Sequence, residues 1–348
     1  MVIDVYVKLP GINSYRAAGL IDSWTSLRIL ENWYKPDEMT LILPETSAYK
    51  NLILPDTALL IEGVFYRVES VFTQKQELTI KGRSLSAQLE DLIIKGTYRT
   101  QQSAGAILED LVKRYGNLSF LSLKTNSQLA GEFVRFQNSH GELLKVIVKL
   151  CETYDIGYYE QAESAETPNA TLQFSAGRDV SQLVEFSSNY DNFQQEEFER
   201  SVRGVKNVAY VFGEGEGSER LMEVVDQSAP GEQKRELYVD ARDLQRKQDD
   251  VLIPESEYRQ MLRQRGCQKL SDTQAVFALK GEINVSNQLF RLGLDYRLGD
   301  LVTVRSIKHK VIKKIRLMAL QKTYDSDGEH IEPVFGKELP TLLDKIGG

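Results

Sequence analysis

The sequence predicts an α+β, mainly β protein in which two β-barrel-like domains flank a small α/β domain. Three observations carry that expectation: period-two alternation through the first 97 residues, apolar residues recurring at three and four between about 103 and 154, and strand patterns returning after residue 196. The 348 residues suit two or three domains, and a composition 41% hydrophobic and 27% charged supports a real buried core. The expected domains are 1–97, 98–195 and 196–348, the last with a helical insert around 240–272.

Taken in order, Asp4–Lys8, Phe65–Phe72 and Glu77–Lys81 alternate as strands, with Gly11, Pro36, Pro44, Pro55 and Gly63 as breaks. A short helix is expected after Ser84, on Leu85, Leu89 and Leu92. Ser103 then caps a helix whose apolar side is Ile107, Leu108, Leu111, Val112 and Tyr115, and Gly116 stops it. Ser139 and Glu142 have capping-box spacing ahead of Leu143, Leu144, Ile147, Leu150, Cys151 and Tyr154. Asp155–Gly157 turns the chain into Tyr158 and Tyr159, and Thr171–Phe174 forms the returning strand.

The polar run Asn189–Gln195 marks the second boundary. Beyond it Val205–Phe212, Phe277–Leu279, Ile283–Val285, Leu301–Arg305 and Lys314–Leu320 read as strands. In Leu301–Arg305, Val302 and Val304 share one face and Leu301, Thr303 and Arg305 the other. The insert is expected to open at Asp240–Leu244 and strengthen from Ser256, with Tyr258, Met261, Leu262 and Leu270 on its apolar side. Arg259, Arg263 and Arg265 lie off that stripe, as a solvated face or an interface with an acidic neighbour. No residue-level repeat links the two β segments.

A net charge of −7, without a basic segment, argues against generic nucleic-acid binding. No apolar run approaches the roughly 20 residues of a spanning helix, and Met1–Lys8 lacks the pattern of a secretory signal, so a soluble protein with no membrane insertion is expected. Two distant cysteines, Cys151 and Cys267, exclude a disulfide scaffold and suggest a reducing compartment.

No catalytic constellation, cofactor motif or metal-ligand set emerges. His140, His309 and His330 have no ligand partner at three or four residues' spacing, and His140 reads as a loop residue, the other two as surface. Cys151 and His140 are about 16 Å apart if the helix is continuous, which prevents a nucleophile–base pair. Gly213–Gly217 follows a strand as a phosphate loop would, but its two glutamates repel phosphate and a hairpin tip fits better. Asp325–Glu329 resembles a calcium loop without its ligand spacing and reads as an Asp-Gly hairpin turn.

Three stretches of the last segment, Leu237–Leu244, Leu294–Val304 and Glu332–Gly336, resemble bacteriophage tail hub proteins. The family comprises hub-like tail proteins of siphophages and prophages, similar in fold to the myophage baseplate hub and to the N-terminal part of tail-associated lysins. The resemblance covers the whole chain in layout and implies a non-enzymatic homotrimer at the virion tail tip or baseplate, made in the host cytoplasm before assembly. Two barrels per chain then imitate sixfold symmetry, joining a distal tail or tube protein to a threefold spike or central fibre protein, with the tape measure protein as a further partner. Many tail-associated relatives continue into a peptidase, lysozyme-like or fibre region, and no such module is expected here after the apolar tail Leu342, Leu343 and Ile346. Two other classes stay open: a tail-associated peptidoglycan hydrolase, which Cys151→Ala would test, and a receptor- or carbohydrate-binding module motivated by 16 tyrosines and the Tyr158–Tyr159 pair.

Overall fold

In a computed structural model, residues 2–9, 14–126, 129, 133–217, 220–248, 251–284, 287 and 289–337 are described. Val285 and the tail Leu342, Leu343 and Ile346 lie outside them. The fold is mainly β with four α-helices among the described residues.

The first lobe contains β1 (Ile3–Lys8), β2 (Tyr15–Ile21), β3 (Ser26–Asn32), β4 (Glu38–Pro44), the short α1 (Ser47–Leu52), β5 (Ala58–Ile61), β6 (Val64–Gln74) and β7 (Glu77–Ser84). Alternating apolar residues, including Val5, Ile29, Leu41 and Ile80, fill its core. Glu62 and Gly63, both at positive φ, close the two-residue turn between β5 and β6. A 3₁₀ turn, Leu85–Asp91, occupies the place of the expected short helix.

The middle unit contains β8 (Ile93–Ser103), α2 (Ala104–Tyr115), β9 (Leu121–Lys124), β10 (Phe133–Glu142), α3 (Leu143–Tyr154), β11 (Gly157–Ala162) and β12 (Ala170–Ser175). Ser103 caps α2 by accepting the Ala106 amide. The expected capping box of α3 does not form: Ser139 lies in β10 opposite Thr97, and Glu142 is the N-cap residue. The reason is local. Strand β10 runs straight into the helix through an irregularity between Ser139 and Gly141, and the Leu143 amide donates to the Leu92 carbonyl. His140, at φ 54°, belongs to that irregularity and not to a loop.

The remainder contains β13 (Glu185–Ser187), β14 (Phe193–Ser201), β15 (Val208–Phe212), β16 (Met222–Asp226), β17 (Glu236–Asp240), the two-residue strands β18 (Lys247–Gln248) and β19 (Val251–Leu252), α4 (Glu255–Ser271), β20 (Val276–Ile283), β21 (Leu301–Ser306), β22 (Val311–Asp325) and β23 (Gly328–Lys337). Val302 and Val304 are buried, as their alternation predicts. Val184, Phe186 and Phe193, which precede residue 196, pack in the last lobe's core with Leu317 and Phe335. The insert is α/β: Asp240–Leu244 opens no helix, because β17 pairs parallel to β15 up to Asp240, and α4 begins only after Pro254.

The two β segments expected to form barrel-like domains are joined by hydrogen bonds. A single 13-stranded sheet joins the lobes, in the order β14-β20-β23-β22-β3-β4-β7-β6-β5-β1-β2, with β13 and β21 attached beside β22. Neither lobe closes by hydrogen bonds among the described residues. The length of β22 explains the fusion: its 15 residues serve β21 with Val311–Arg316, then β23 and β3 with Leu317–Asp325.

Candidate functional site

The residues that decide this molecule's geometry sit where the lobes and the middle unit meet. Trp33 follows β3 directly and is 2% exposed. Its amide donates to the Met318 carbonyl of the last lobe at 3.0 Å, and its carbonyl accepts the Tyr158 amide of the middle unit at 3.1 Å. Its ring is held by glycines: a Cβ on Gly157 or on Gly299 would lie 2.1 Å from an indole atom, and Gly299 has φ +83°. The Arg316 guanidinium covers the ring at 5.6 Å from its centroid. Arg316 also donates to the Asp155 carboxylate at 2.5 and 3.0 Å, and the Tyr34 hydroxyl donates to the same group at 2.6 Å. Burial, reinforced by the charge of Asp155, pushes the Tyr34 phenol well above its usual range.

A second contact crosses the fused sheet. Lys322 of β22 donates to Glu31 of β3 at 2.5 Å and to Glu62 of the β5–β6 turn at 2.9 Å, and the Tyr324 hydroxyl donates to Glu62. Burial pulls the Lys322 ammonium down, but the two carboxylates more than offset it and leave the group raised. In the last lobe, Asp300 is 2% exposed and accepts from the Arg178 side chain and from the Arg178 and Arg297 amides. The Gly299–Asp300 turn thereby ties the chain arriving from the middle unit to β21.

The insert is locked to the middle unit. Helix α4 packs Tyr258, Met261, Leu262 and Leu270 against the sheet β16-β15-β17. The arginines expected on a solvated face or against an acidic neighbour pair with carboxylates of the chain, Arg259 and Arg263 with Glu223 and Arg265 with Asp243. Gln264 donates to the Tyr154 hydroxyl at 2.8 Å, and Arg135 pairs with Glu257 at 3.2 Å.

The structure scatters the sequence's other candidates. Cys151 is fully buried in the middle core, which raises its thiol, while Cys267 is exposed. His309 stacks on Phe198, with ring centroids 5.2 Å apart. His330 lies in β23 and bonds Glu282 at 2.7 Å; that hydrogen bond raises its imidazole. Tyr158 is buried and Tyr159 exposed, so the pair forms no shared aromatic platform. Gly213–Gly217 lies between β15 and β16, and Asp325 and Gly328 close the β22–β23 hairpin. Among the described residues no group of three or more His, Cys, Asp or Glu side chains could hold a metal ion, and no helix is long and apolar enough to cross a membrane.

Sequence reasoning missed Trp33, Gly157, Lys322 and their partners, because their meaning lies in contacts between segments more than 100 residues apart. The one available signal was that Trp33 is one of only two tryptophans in the chain.

Two β lobes fused through a shared strand, with a helical unit pinned between them, define a phage tail fold. Three solved structures share it: the tail protein from Neisseria meningitidis MC58, at 14% identity over 97% of both chains with a TM-score of 0.57; the 43 kDa tail protein of prophage MuSo2 from Shewanella oneidensis, at 14% over 96% of this chain and 98% of that one with 0.59; and the prophage tail protein gp18 from Listeria monocytogenes EGD-e, at 12% over 100% and 98% with 0.56. No curated protein sequence matches the chain. The chain belongs to the Siphovirus ReqiPepy6 Gp37-like protein family, whose model matches residues 13–337. Its fold is that of phage tail proteins, as the resemblance in its last segment implies.

Proposed function

We propose that this protein is the structural, non-enzymatic hub of a phage or phage-derived tail tip, a homotrimer around the tail axis. The β lobes of residues 1–97 and of residues from about 196 onward act as two barrel-like units, with 98–195 as spacer and the segment around Val184–Phe193 packed into the second unit. Three chains then present six lobes to a sixfold tube or distal tail ring on one side and a threefold spike or fibre on the other. The tape measure protein is a further partner within the ring. The observation that carries this reading is the β22–β3 pairing, since one continuous sheet holds both lobes of a chain at a fixed mutual position.

The outer edges of β2 and β14, at the two ends of that sheet, offer unpaired backbone groups to neighbouring chains. Pairing of one edge with the other gives a heterologous interface that closes at three copies. Light scattering on the purified protein, alone and with its distal tail partner, tests the stoichiometry. The expected mass of the hub is three times 39.6 kDa. Leu20→Asp, at an exposed apolar position of β2, should lower it to a monomer without loss of fold. A dimer or hexamer, or a Leu20→Asp variant that still forms trimers, would count against the arrangement.

A further inference from the structure

The turn between β21 and β22 differs in character from the rest of this acidic chain. From Arg305 to Arg316 the sequence carries six Lys or Arg residues and no carboxylate, a local run that the charge of the whole chain conceals. Three of the six are paired within the fold: Arg305 with Glu185, Lys314 with Asp179 and Arg316 with Asp155. Lys313 stands over the Phe277 ring, 3.8 Å from its centroid. Lys308 and Lys310, at the tip, are exposed and form no ion pair with a described residue.

Two bare aliphatic side chains share that tip, Ile307 and Ile312, 55% and 63% exposed. The turn is tight, the Lys310 amide donating to the Ile307 carbonyl at 3.1 Å, so cationic and apolar side chains project together from one hairpin end. His309 takes no part, because its ring stacks on Phe198.

This composition selects among anionic partners. Protein interfaces favour Arg and aromatic residues over Lys, yet the arginines of this run are engaged within the chain and its unpaired cations are all Lys. Nucleic acid is read through stacking rings and side-chain amides, which Ile307–Ile312 does not offer, and it would set both isoleucines against charged phosphates. An anionic bilayer suits both kinds of side chain: the isoleucines enter the boundary between headgroups and acyl chains, while the lysine stems reach back to the phosphates.

We propose that the β21–β22 tip docks on the surface of an anionic phospholipid membrane, in a shallow interfacial contact that does not span the bilayer. The contact needs one chain only and is independent of the trimer reading.

Flotation of the full chain with lipid vesicles tests it. At low ionic strength, vesicles of mixed phosphatidylglycerol and phosphatidylcholine should carry the protein, and phosphatidylcholine alone should not. Lys308→Gln and Lys310→Gln should each lower partitioning about fivefold, the share of one lysine near such a surface. Ile307→Ser combined with Ile312→Ser should lower it at least about fivefold with no change of charge. These positions are all exposed, so circular dichroism should show the variants folded. A DNA duplex or polyglutamate at equal charge concentration should leave most of the protein on the vesicles. The proposal is overturned if phosphatidylcholine alone binds as well, if the lysine or the isoleucine variants float as the parent does, or if either polyanion strips the protein from the vesicles.

Discussion

Replacing Trp33 by alanine tests whether one side chain couples the three parts of the molecule. Truncating a buried tryptophan generally costs about 3–5 kcal/mol. Here the void would open between Gly157 and Gly299, where no Cβ exists to fill it, so the transfer and cavity costs are both felt. One term opposes them: the indole Nε1 is buried without a hydrogen-bond partner among the described residues, a burden of about 1–3 kcal/mol that alanine removes. The expected net loss is therefore about 2 kcal/mol, whereas Trp33→Phe, which keeps most of the ring and sheds the orphan N–H, should lose less than about 1.5 kcal/mol. Urea unfolding followed by far-ultraviolet circular dichroism measures both. An alanine variant within about 1 kcal/mol of the parent, or a phenylalanine variant as damaged as the alanine one, would refute the reasoning.

Other residues give independent tests. Asp300→Ala should lower stability by about 2–4 kcal/mol, since it leaves the Arg178 and Arg297 amides and the half-exposed Arg178 guanidinium without their acceptor, and thermal unfolding reads it. Lys322→Met should cost about 1.5–3 kcal/mol by leaving Glu31 and Glu62 facing each other without their cation, and Glu31→Gln in that background should recover part of the loss in urea midpoint. Glu160, 5% exposed, has its carboxyl raised by burial despite the hydroxyl of Ser86 and the amides of Leu85 and Ser86. The folded state thus holds that proton more tightly than the unfolded chain, so the group's contribution is complete below its ordinary value of 4.5 and is lost as pH rises through the raised value. The stability of the parent relative to Glu160→Gln should accordingly fall as pH rises above about 4.5, and a rise in urea titrations would contradict this sign. Native protein should react with a thiol reagent at Cys267 only, with Cys151 released by denaturant; rapid reaction of both would contradict the packing.

Short-range physics made the elements legible. Strand β1, helix α2 with its Ser103 cap and the Asp325–Gly328 hairpin follow from alternation, apolar spacing and turn chemistry in adjacent residues. Readings failed where a distant segment supplied the partner. Ser139 looked like a cap because its spacing to Glu142 is right, but β8 claims that backbone as a strand. Which carboxylate Arg259 and Arg263 meet could not be read either, because Glu223 lies 36 and 40 residues away in sequence yet beside them in space. The joining of the lobes was hidden for the same reason, since nothing local in Val311–Asp325 says that its two halves pair with different strands. The joint at Trp33 was invisible because a glycine's value there is the space it leaves for a ring more than 100 residues distant.

Electron cryo-microscopy of the assembled tail tip measures the arrangement itself. Three copies of this chain, with both β lobes of each at one radius about the tail axis, is the predicted density. A different copy number, or first and last lobes at unequal radii, would contradict the hub.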